Sequence, residues 1–210
     1  MHWIALQWSL EAQAEAGAAA AAADAMPTPE ALGWWALRYT PHVCWLDEAL
    51  MLEVSACERL WGGRSSLMRQ LLNENPAPAA AALRGAQGAT SLEALARLRL
   101  FVRDEKRPPE IPAGLPLDTL SAARGHLDAL ARLGCRSWGE VAALPRGGLS
   151  RRFGAELRAA LDIAWGLRPE SHAWLTLPDV FEQKLELPAL AETAPELMWS
   201  ANRLLSALQI

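Results

Sequence analysis

Two adjacent acids, Asp47 and Glu48, stand where the sequence predicts a tight turn between two strands. The apolar runs Val43–Leu46 and Leu50–Ser55 flank them and predict a β-hairpin. Carboxylates held together at the ends of adjacent strands are the ligands that hard divalent cations prefer. An acidic turn that only faces solvent would have the same sequence, and we favour that simpler interpretation over a metal site.

A basic, glycine-containing segment follows Pro145 and predicts a flexible helix start: Arg146, Gly147, Gly148, Arg151 and Arg152. The first N–H groups of a helix lack internal partners, and the helix dipole favours anions there. Residues 118–168 contain eight arginines and five acids, which is a small basic excess. These arginines therefore either contact an anion such as a phosphate or only solvate a helical core.

The composition excludes several other classes of site. The net charge of −4 gives no whole-chain signal for nucleic acid. Cys44, Cys57 and Cys135 have no metal-binding spacing and are predicted to be reduced core residues of a cytosolic protein. The four histidines are dispersed, which argues against a His-based metal site. Residues 16–25 are too few and too weakly apolar to span a membrane.

The N-terminal half predicts alternating strands and helices around a sheet. The predicted elements are a strand at Trp3–Trp8, an alanine-rich tether or helix at 11–26, a helix from Pro29 to before Pro41, the hairpin, a helix after Gly62-Gly63, a weak strand at Ala80–Gln87 and a helix capped by Ser91. This order is that of a split βαβ sheet with its helices on one face.

The C-terminal half predicts a Pro-rich linker over 103–117 and then helices. Asp118 is expected to cap a helix that ends at Gly134, Ser137 to cap a short helix before Pro145, and a further helix to run to Gly166. Phe181 and Lys184–Leu187 suggest a strand. Thr193–Glu196 reads as a capping box that opens a last helix.

Two sets of motifs resemble a known family when they are taken together. The first set is Ala36–Pro41, Leu46–Val54 and Leu60–Gly63, and the second is Leu133–Pro145 with Arg151–Gly154. In this order they resemble the palm and thumb of Y-family translesion DNA polymerases, and most of all the ImuB-like mutasome subunit, whose members lack the catalytic acids. The resemblance covers most of the chain except the alanine-rich insert and the linker.

The resemblance implies an α+β architecture. Residues 1–102 would form a reduced split-βαβ (ferredoxin-like) palm that lacks fingers, because only residues 10–28 fill the place of that segment. Residues 103–117 would be a linker, and 118–168 an all-helical thumb of the helix-hairpin-helix type. Residues 177–210 would begin a truncated α/β little-finger-like domain.

The resemblance also implies that catalysis is lost. In the family the first strand ends in an acid that binds both metals, and the matching position here is Gln7. The hairpin supplies an Asp-Glu pair, which fits Asp47 and Glu48, although aligning Leu52-Glu53-Val54 instead puts the pair position on Glu48 and Ala49. We therefore expect no catalytic residues and no cofactor, with Mg²⁺ bound only if Asp47 and Glu48 retain a metal site.

The thumb resemblance implies sequence-independent contact with DNA phosphates. Its glycine turn falls on Ser121-Ala122-Ala123, where the glycines are missing, whereas the second turn is kept. The residues expected to contact DNA are Gly134, Arg136, Ser137, Arg146, Gly147, Gly148, Arg151 and Arg152.

The implied role is an adaptor in damage-induced (SOS) translesion synthesis. Its partners would be DNA, the sliding clamp, a RecA-like protein and an error-prone polymerase, with no membrane. The stretch Gln183–Leu187 resembles a clamp-binding peptide only loosely, and a plain strand fits it better. Two alternatives remain, namely an active polymerase fragment and a structural remnant without affinity for DNA.

Overall fold

A four-stranded antiparallel sheet organises the N-terminal half of the molecule. The computed structural model describes residues 1–10, 26–79, 81–103, 111–178, 182, 184–187 and 193–209. The strands are β1 (Trp3–Leu10), β2 (Val43–Leu46), β3 (Ala49–Glu53) and β4 (Ala81–Gly88). Their spatial order is β2-β3-β1-β4 with every neighbouring pair antiparallel, which is the order of a split βαβ sheet.

The helices follow the predicted order. Those in the described residues are α1 (Pro29–Leu37), α2 (Arg64–Asn73), α3 (Ser91–Val102), α4 (Leu127–Arg132), α5 (Trp138–Ala142), α6 (Arg146–Phe153), α7 (Ala155–Ala164) and α8 (Ala194–Gln209). Thr28 caps α1 as predicted, and Pro29 stands at its first position. At α3 the cap is Thr90 and not Ser91, because the Thr90 hydroxyl accepts the Glu93 N–H at 3.2 Å.

Both faces of the sheet are covered. Alternate residues of a strand point to opposite faces, so Ile4 and Leu6 pack with α1 and α2 while Trp3 and Ala5 pack with α3. The prediction that all helices lie on one face is therefore wrong for α3. The reason is that α3 is apolar on two sides: Leu95 and Leu98 face the sheet, whereas Ala96 and Leu100 face the helices that follow.

The helices of residues 111–164, here called the helical unit, share a second core around Trp138 and Leu130. The described end of the expected linker is part of this core, because Leu115 and Leu117 are buried. Asp118 does not cap a long helix; 3₁₀ turns occupy Leu117–Thr119 and Ser121–His126 before α4 begins. The single helix predicted up to Gly166 is broken into α6 and α7 at Gly154, whose φ is +89°.

After α7 the chain turns back to the sheet through residues 169–178, here called the return segment. The Leu175 N–H donates to the Val43 carbonyl oxygen at 2.7 Å, on the edge strand β2. Glu170 accepts the Ser91 N–H at the start of α3. Trp174 lies parallel to Trp3 with ring centroids 6.0 Å apart. The return segment therefore attaches the end of the helical unit to the sheet.

Several predictions near the termini have mixed outcomes. The alanine-rich residues 11–25, and Phe181 and Gln183, lie outside the described residues. Lys184–Leu187, which were predicted to belong to a strand, are not in one. Helix α8 begins next to Thr193, as predicted. Among the described helices, none is both long and apolar enough to cross a membrane.

The three cysteines are free thiols, as predicted. Cys44 and Cys135 are buried, and Cys57 is partly buried. Burial, together with the nearby charge of Glu170, raises the pKa of the Cys44 thiol to about 12, so it stays protonated and unreactive at neutral pH.

Candidate functional site

The acidic pair occupies the hairpin turn itself. Strands β2 and β3 pair up to Leu46 and Ala49, which leaves Asp47 and Glu48 as the two turn residues. Asp47 adopts a left-handed conformation with φ of +50°, which aspartate tolerates better than most residues. Both side chains are about one third exposed, at 38% and 34%. They are therefore within reach of solvent but, as described next, not free.

An arginine from α3 holds both acids. The Arg99 Nε donates to Glu48 Oε1 at 2.6 Å and its Nη2 to Glu48 Oε2 at 2.8 Å, which is a bidentate pair. The same Nη2 donates to Asp47 Oδ2 at 2.8 Å. The Arg99 side chain is only 4% exposed, so its charge depends on these carboxylates. The interpretation of Asp47 and Glu48 as a plain solvent-facing turn is thus incomplete.

The remaining donors of Arg99 reach the helical unit. Its Nη1 donates to the Thr119 carbonyl oxygen at 2.6 Å and to Ser121 Oγ at 2.9 Å. The Ser121 hydroxyl in turn donates to Asp47 Oδ2. A guanidinium has five N–H donors, and these five hydrogen bonds account for all of them. We call this cluster of Asp47, Glu48, Arg99, Thr119 and Ser121 the arginine joint.

Protonation states in the arginine joint are shifted toward the charged forms. The hydrogen bonds from Arg99 are the largest influence on Glu48 and lower the pKa of its carboxyl to about 2, against the opposing effect of burial. For Arg99 burial alone would lower the pKa, but the hydrogen bonds to Glu48 and Asp47 outweigh it and raise the pKa above its usual value. Both partners are therefore ionised across the physiological range.

Gln7 lies at the same end of the sheet as Asp47 and Glu48, and on the sheet face that α3 covers. The β1–β3 register ends at Leu6 opposite Leu50, so the next residue, Gln7, follows opposite Ala49 and beside the acidic turn. Alternation places Gln7 on the face of Trp3 and Ala5, which α3 covers. The three positions that the resemblance singled out therefore lie at the same end of the sheet.

These residues do not fit a divalent metal site. Gln7 supplies an amide instead of a carboxylate, and the oxygens of Asp47 and Glu48 already accept hydrogen bonds from a cation. A metal ion on Asp47 and Glu48 would compete with Arg99, and breaking that pair would leave a buried charge unpaired, at a cost of roughly 3–5 kcal/mol. No group of three or more His, Cys, Asp or Glu side chains suited to a metal occurs in the part of the chain that the structure describes.

The turn between α4 and α5 is capped by its own acid. Gly134 ends α4 with φ of +82°, in open space. The N–H groups of Arg136 and Ser137 both donate to Glu140 Oε2, at 2.6 and 2.9 Å, in a capping box. These hydrogen bonds lower the pKa of the Glu140 carboxyl. A carboxylate therefore already occupies the place where a phosphate was expected to bind Gly134–Ser137.

The start of α6 is open by contrast. It begins at Arg146 after Pro145, and no side chain caps it. The first-turn N–H groups of Gly147 and Gly148 have no intrahelical partner. A methyl group added at Gly147 would meet nothing within 4 Å, so this surface is accessible. Among the predicted DNA contacts, this helix start alone combines free backbone donors with open space in the described structure.

The three arginines of α6 differ in how they are held. Arg146 donates to both oxygens of Asp162 at 2.8 and 2.9 Å, so part of its charge is balanced. Arg151 and Arg152 stand in the last turn and not at the start, yet the Arg151 Nε reaches back to the Gly147 carbonyl oxygen at 3.1 Å. Arg152 lies over the Phe153 ring. Neither has an ion pair with a carboxylate among the described residues.

The sequence interpretation missed Arg99, and it assigned no functional role to Ser121, Glu140 or Asp162. Arg99 had no local signal, because its partners Asp47 and Glu48 lie in a distant hairpin. Glu140 did have one: Ser137 and Glu140 have the spacing of a capping box.

Comparison with known proteins gives one kind of relative. No family model matches the chain. The chain is similar to Protein ImuB of Caulobacter vibrioides in two strains, with 33% identity over 148 residues. The match covers 68% of this chain but 32% of that protein, so the chain spans about a third of the length of the curated relatives it matches. The similarity points to an ImuB-like, Y-family-like relative, which is the group that the palm and thumb motifs resemble.

Proposed function

We propose that this chain is a non-catalytic, polymerase-like subunit that binds DNA and acts as an adaptor in translesion synthesis and DNA damage repair. The similarity to an ImuB protein supports the setting. In this proposal residues 1–102 are a reduced palm without fingers, 103–117 connect it to a thumb at 118–168, and 177–210 begin a little-finger-like domain.

The arginine joint is the observation that supports the loss of catalysis. Phosphoryl transfer by two metal ions needs carboxylates that are free to bridge both ions. Here Arg99 satisfies its five donors on the acidic turn and on the helical unit. Its single positive charge is buried, so it cannot leave for a metal without the penalty given above.

The start of α6 supports DNA binding. The backbone donors of Gly147 and Gly148 are uncapped, and Arg151 and Arg152 lie one turn further along α6, each four residues after one of these glycines. Such donors contact phosphates and carry no sequence information. We therefore propose sequence-independent contact with the DNA backbone at this helix.

The protein partners follow from the resemblance alone. A sliding clamp, a RecA-like protein and an error-prone polymerase are proposed partners in the damage-induced response. The described residues Lys184–Leu187, part of the stretch that loosely resembles a clamp-binding peptide, are not in a strand.

Two assays on the full chain test the proposal. In a salt titration of duplex DNA binding, the logarithm of affinity should fall linearly with the logarithm of salt, by roughly 0.9 per phosphate neutralised. In a primer-extension assay with Mg²⁺ or Mn²⁺, no extension is expected. Extension that Glu48→Ala abolishes would show an active polymerase fragment instead. Absence of DNA binding at low salt would favour a structural remnant.

A further inference from the structure

A cleft of about 660 Å³ opens between the sheet and the helical unit, at the opposite end of α3 from the arginine joint. It lies where Thr90 starts α3 and where Trp165 and Gly166 follow α7. Small-molecule sites commonly have this size and often lie between packed units. No residue of the cleft belongs to the acidic turn or to α6, so neither site described above accounts for it.

One residue that lines the cleft is a partly exposed tryptophan. Trp165 is 37% exposed, and its ring centroid lies 6.4 Å from that of Trp138. Trp138 is fully buried and donates its Nε1–H to the Pro116 carbonyl oxygen at 3.0 Å, so it provides a rigid support. Pro112 and Pro169 add apolar surface beside it. A held, partly exposed indole favours a flat ring as ligand.

Two buried carboxylates also line the cleft. The side chains of Glu93 and Glu170 are 8% and 5% exposed. Glu93 accepts hydrogen bonds from Arg97 and from the Ala89 N–H, and Glu170 accepts them from the Ser91 N–H and His172. A carboxylate has about four acceptor positions, so each keeps capacity for one more donor. These acceptors favour a ligand with amino groups and repel a phosphate.

The rim of the cleft carries one arginine and is connected to the start of α6 through Asp162. Arg168 is exposed at the rim. The Asp162 carbonyl oxygen accepts the N–H groups of Leu167 and Arg168, at 2.8 and 3.2 Å. The Asp162 carboxylate holds Arg146 at the start of α6. Asp162 therefore contacts both Arg146, where phosphate contacts are proposed, and Arg168 at the edge of the cleft.

We propose that this cleft binds one unstacked, amino-bearing nucleobase of single-stranded DNA whose phosphates lie along α6 and Arg168. The proposal rests on the DNA-binding function proposed above. The base stacks on Trp165 and gives its exocyclic amino hydrogens to Glu93 or Glu170. Cytosine has such an amino group. Thymine has none and presents carbonyl oxygens to the carboxylates, so it should bind more weakly.

The test measures binding of labelled oligo-dC and oligo-dT of about twelve nucleotides to the full chain by fluorescence anisotropy. Oligo-dC should bind several-fold more tightly than oligo-dT. Trp165→Leu should weaken oligo-dC binding about tenfold and remove the preference. Trp165→Phe keeps a stacking ring and should stay close to wild type. Trp45→Leu is the matched control, because Trp45 is 36% exposed but lies outside the cleft.

The outcomes separate this proposal from the proposed function. Equal affinity for the two oligonucleotides overturns the nucleobase site, and so does a folded Trp165→Leu variant that binds like wild type; salt-dependent DNA binding would survive either result. If Trp165→Leu fails to fold in a thermal melt, the comparison of oligo-dC with oligo-dT on the wild type still decides. A lysine-containing peptide that competes with neither oligonucleotide, and whose quenching of tryptophan fluorescence is lost in Trp165→Leu, would identify a peptide site and overturn the proposal. No DNA binding at low salt defeats both.

Discussion

The arginine joint and the start of α6 both contain charged residues that the sequence indicates as candidate sites. They differ in whether their polar groups are already paired within the protein or remain open to a ligand. In the arginine joint each charged group has a partner from another segment, and Arg99 is 4% exposed. At the start of α6 the backbone donors of Gly147 and Gly148 are uncapped, and the surface is open. A charged motif in a sequence is therefore good evidence for a ligand site only if no distant segment of the chain pairs with it in the folded protein.

The largest expected effect is on Arg99. Arg99→Met should lower the free energy of unfolding by about 3 kcal/mol, because it leaves two carboxylates without a cation and the Thr119 carbonyl oxygen without a donor. Urea denaturation followed by circular dichroism measures this. Arg103→Met is the control: its pair with Asp118 is about 40% exposed on both sides and should matter by at most about 0.5 kcal/mol. Equal loss in both variants would show that the arginine joint is an ordinary surface pair.

Stability measured as a function of pH isolates the contribution of the Glu48 carboxylate. Its pKa is lowered from 4.5 to about 2 in the folded protein, so the folded state binds the proton less readily than the unfolded state. The stabilisation is therefore complete above about pH 4.5 and is lost as the pH falls toward 2. Wild type should be more stable than Glu48→Gln at pH 7, and the difference should shrink across this window. A difference that stays constant down to pH 2.5 would contradict the depressed pKa.

The salt dependence of duplex DNA binding tests whether the open start of α6 contacts DNA. Changing Arg146, Arg151 and Arg152 together to Ala should flatten the log–log salt dependence of duplex binding by about two. A change of three is not expected, because Asp162 pairs with Arg146 and balances part of its charge. Stability should change little, since these side chains are exposed. The same change at Arg38, Arg64 and Arg69 in the sheet half should leave the slope as it is; if both triple variants behave alike, α6 is not the contact.

The smallest effect is expected from Glu140→Ala, which should make the capped start of α5 resemble the uncapped start of α6. Glu140→Ala removes the carboxylate that holds the Arg136 and Ser137 N–H groups and should lower the melting temperature slightly. The turn then resembles the open start of α6, so duplex affinity should rise slightly. Lower affinity in a folded Glu140→Ala variant would mean that the capped turn is itself part of the DNA contact. Thermal melts and the same salt titration measure both effects.

Local rules of the sequence predicted much of the sheet. Thr28 with Pro29 marked the start of α1, and the hairpin turn fell on Asp47 and Glu48, because capping and turn preferences act within a few residues. The second apolar side of α3 and the break at Gly154 were missed. The apolar side of α3 depends on which distant elements pack against that helix. The break was missed because a glycine inside a helical pattern does not by itself predict the end of a helix.

The candidate site divides in the same way. Sequence pattern located the acidic turn and the basic helix start, since each is a local cluster. It could not show that Arg99 pairs with Asp47 across 52 residues of chain, because such a contact exists only after the sheet and the helical unit have packed. The capping role of Glu140 was open to prediction from its spacing to Ser137 and was overlooked.

The return segment has a mechanical consequence. Its hydrogen bond from Leu175 to Val43 and its contact from Glu170 to Ser91 close the chain into a loop that contains the whole helical unit. Tension applied to the chain beyond Pro178 would reach the sheet through these contacts before it could extend α4 to α7. We expect single-molecule pulling between the two ends to rupture the return segment first and to extend the helical unit only afterwards. Pulling traces in which the helices extend first would show that the return segment bears no load.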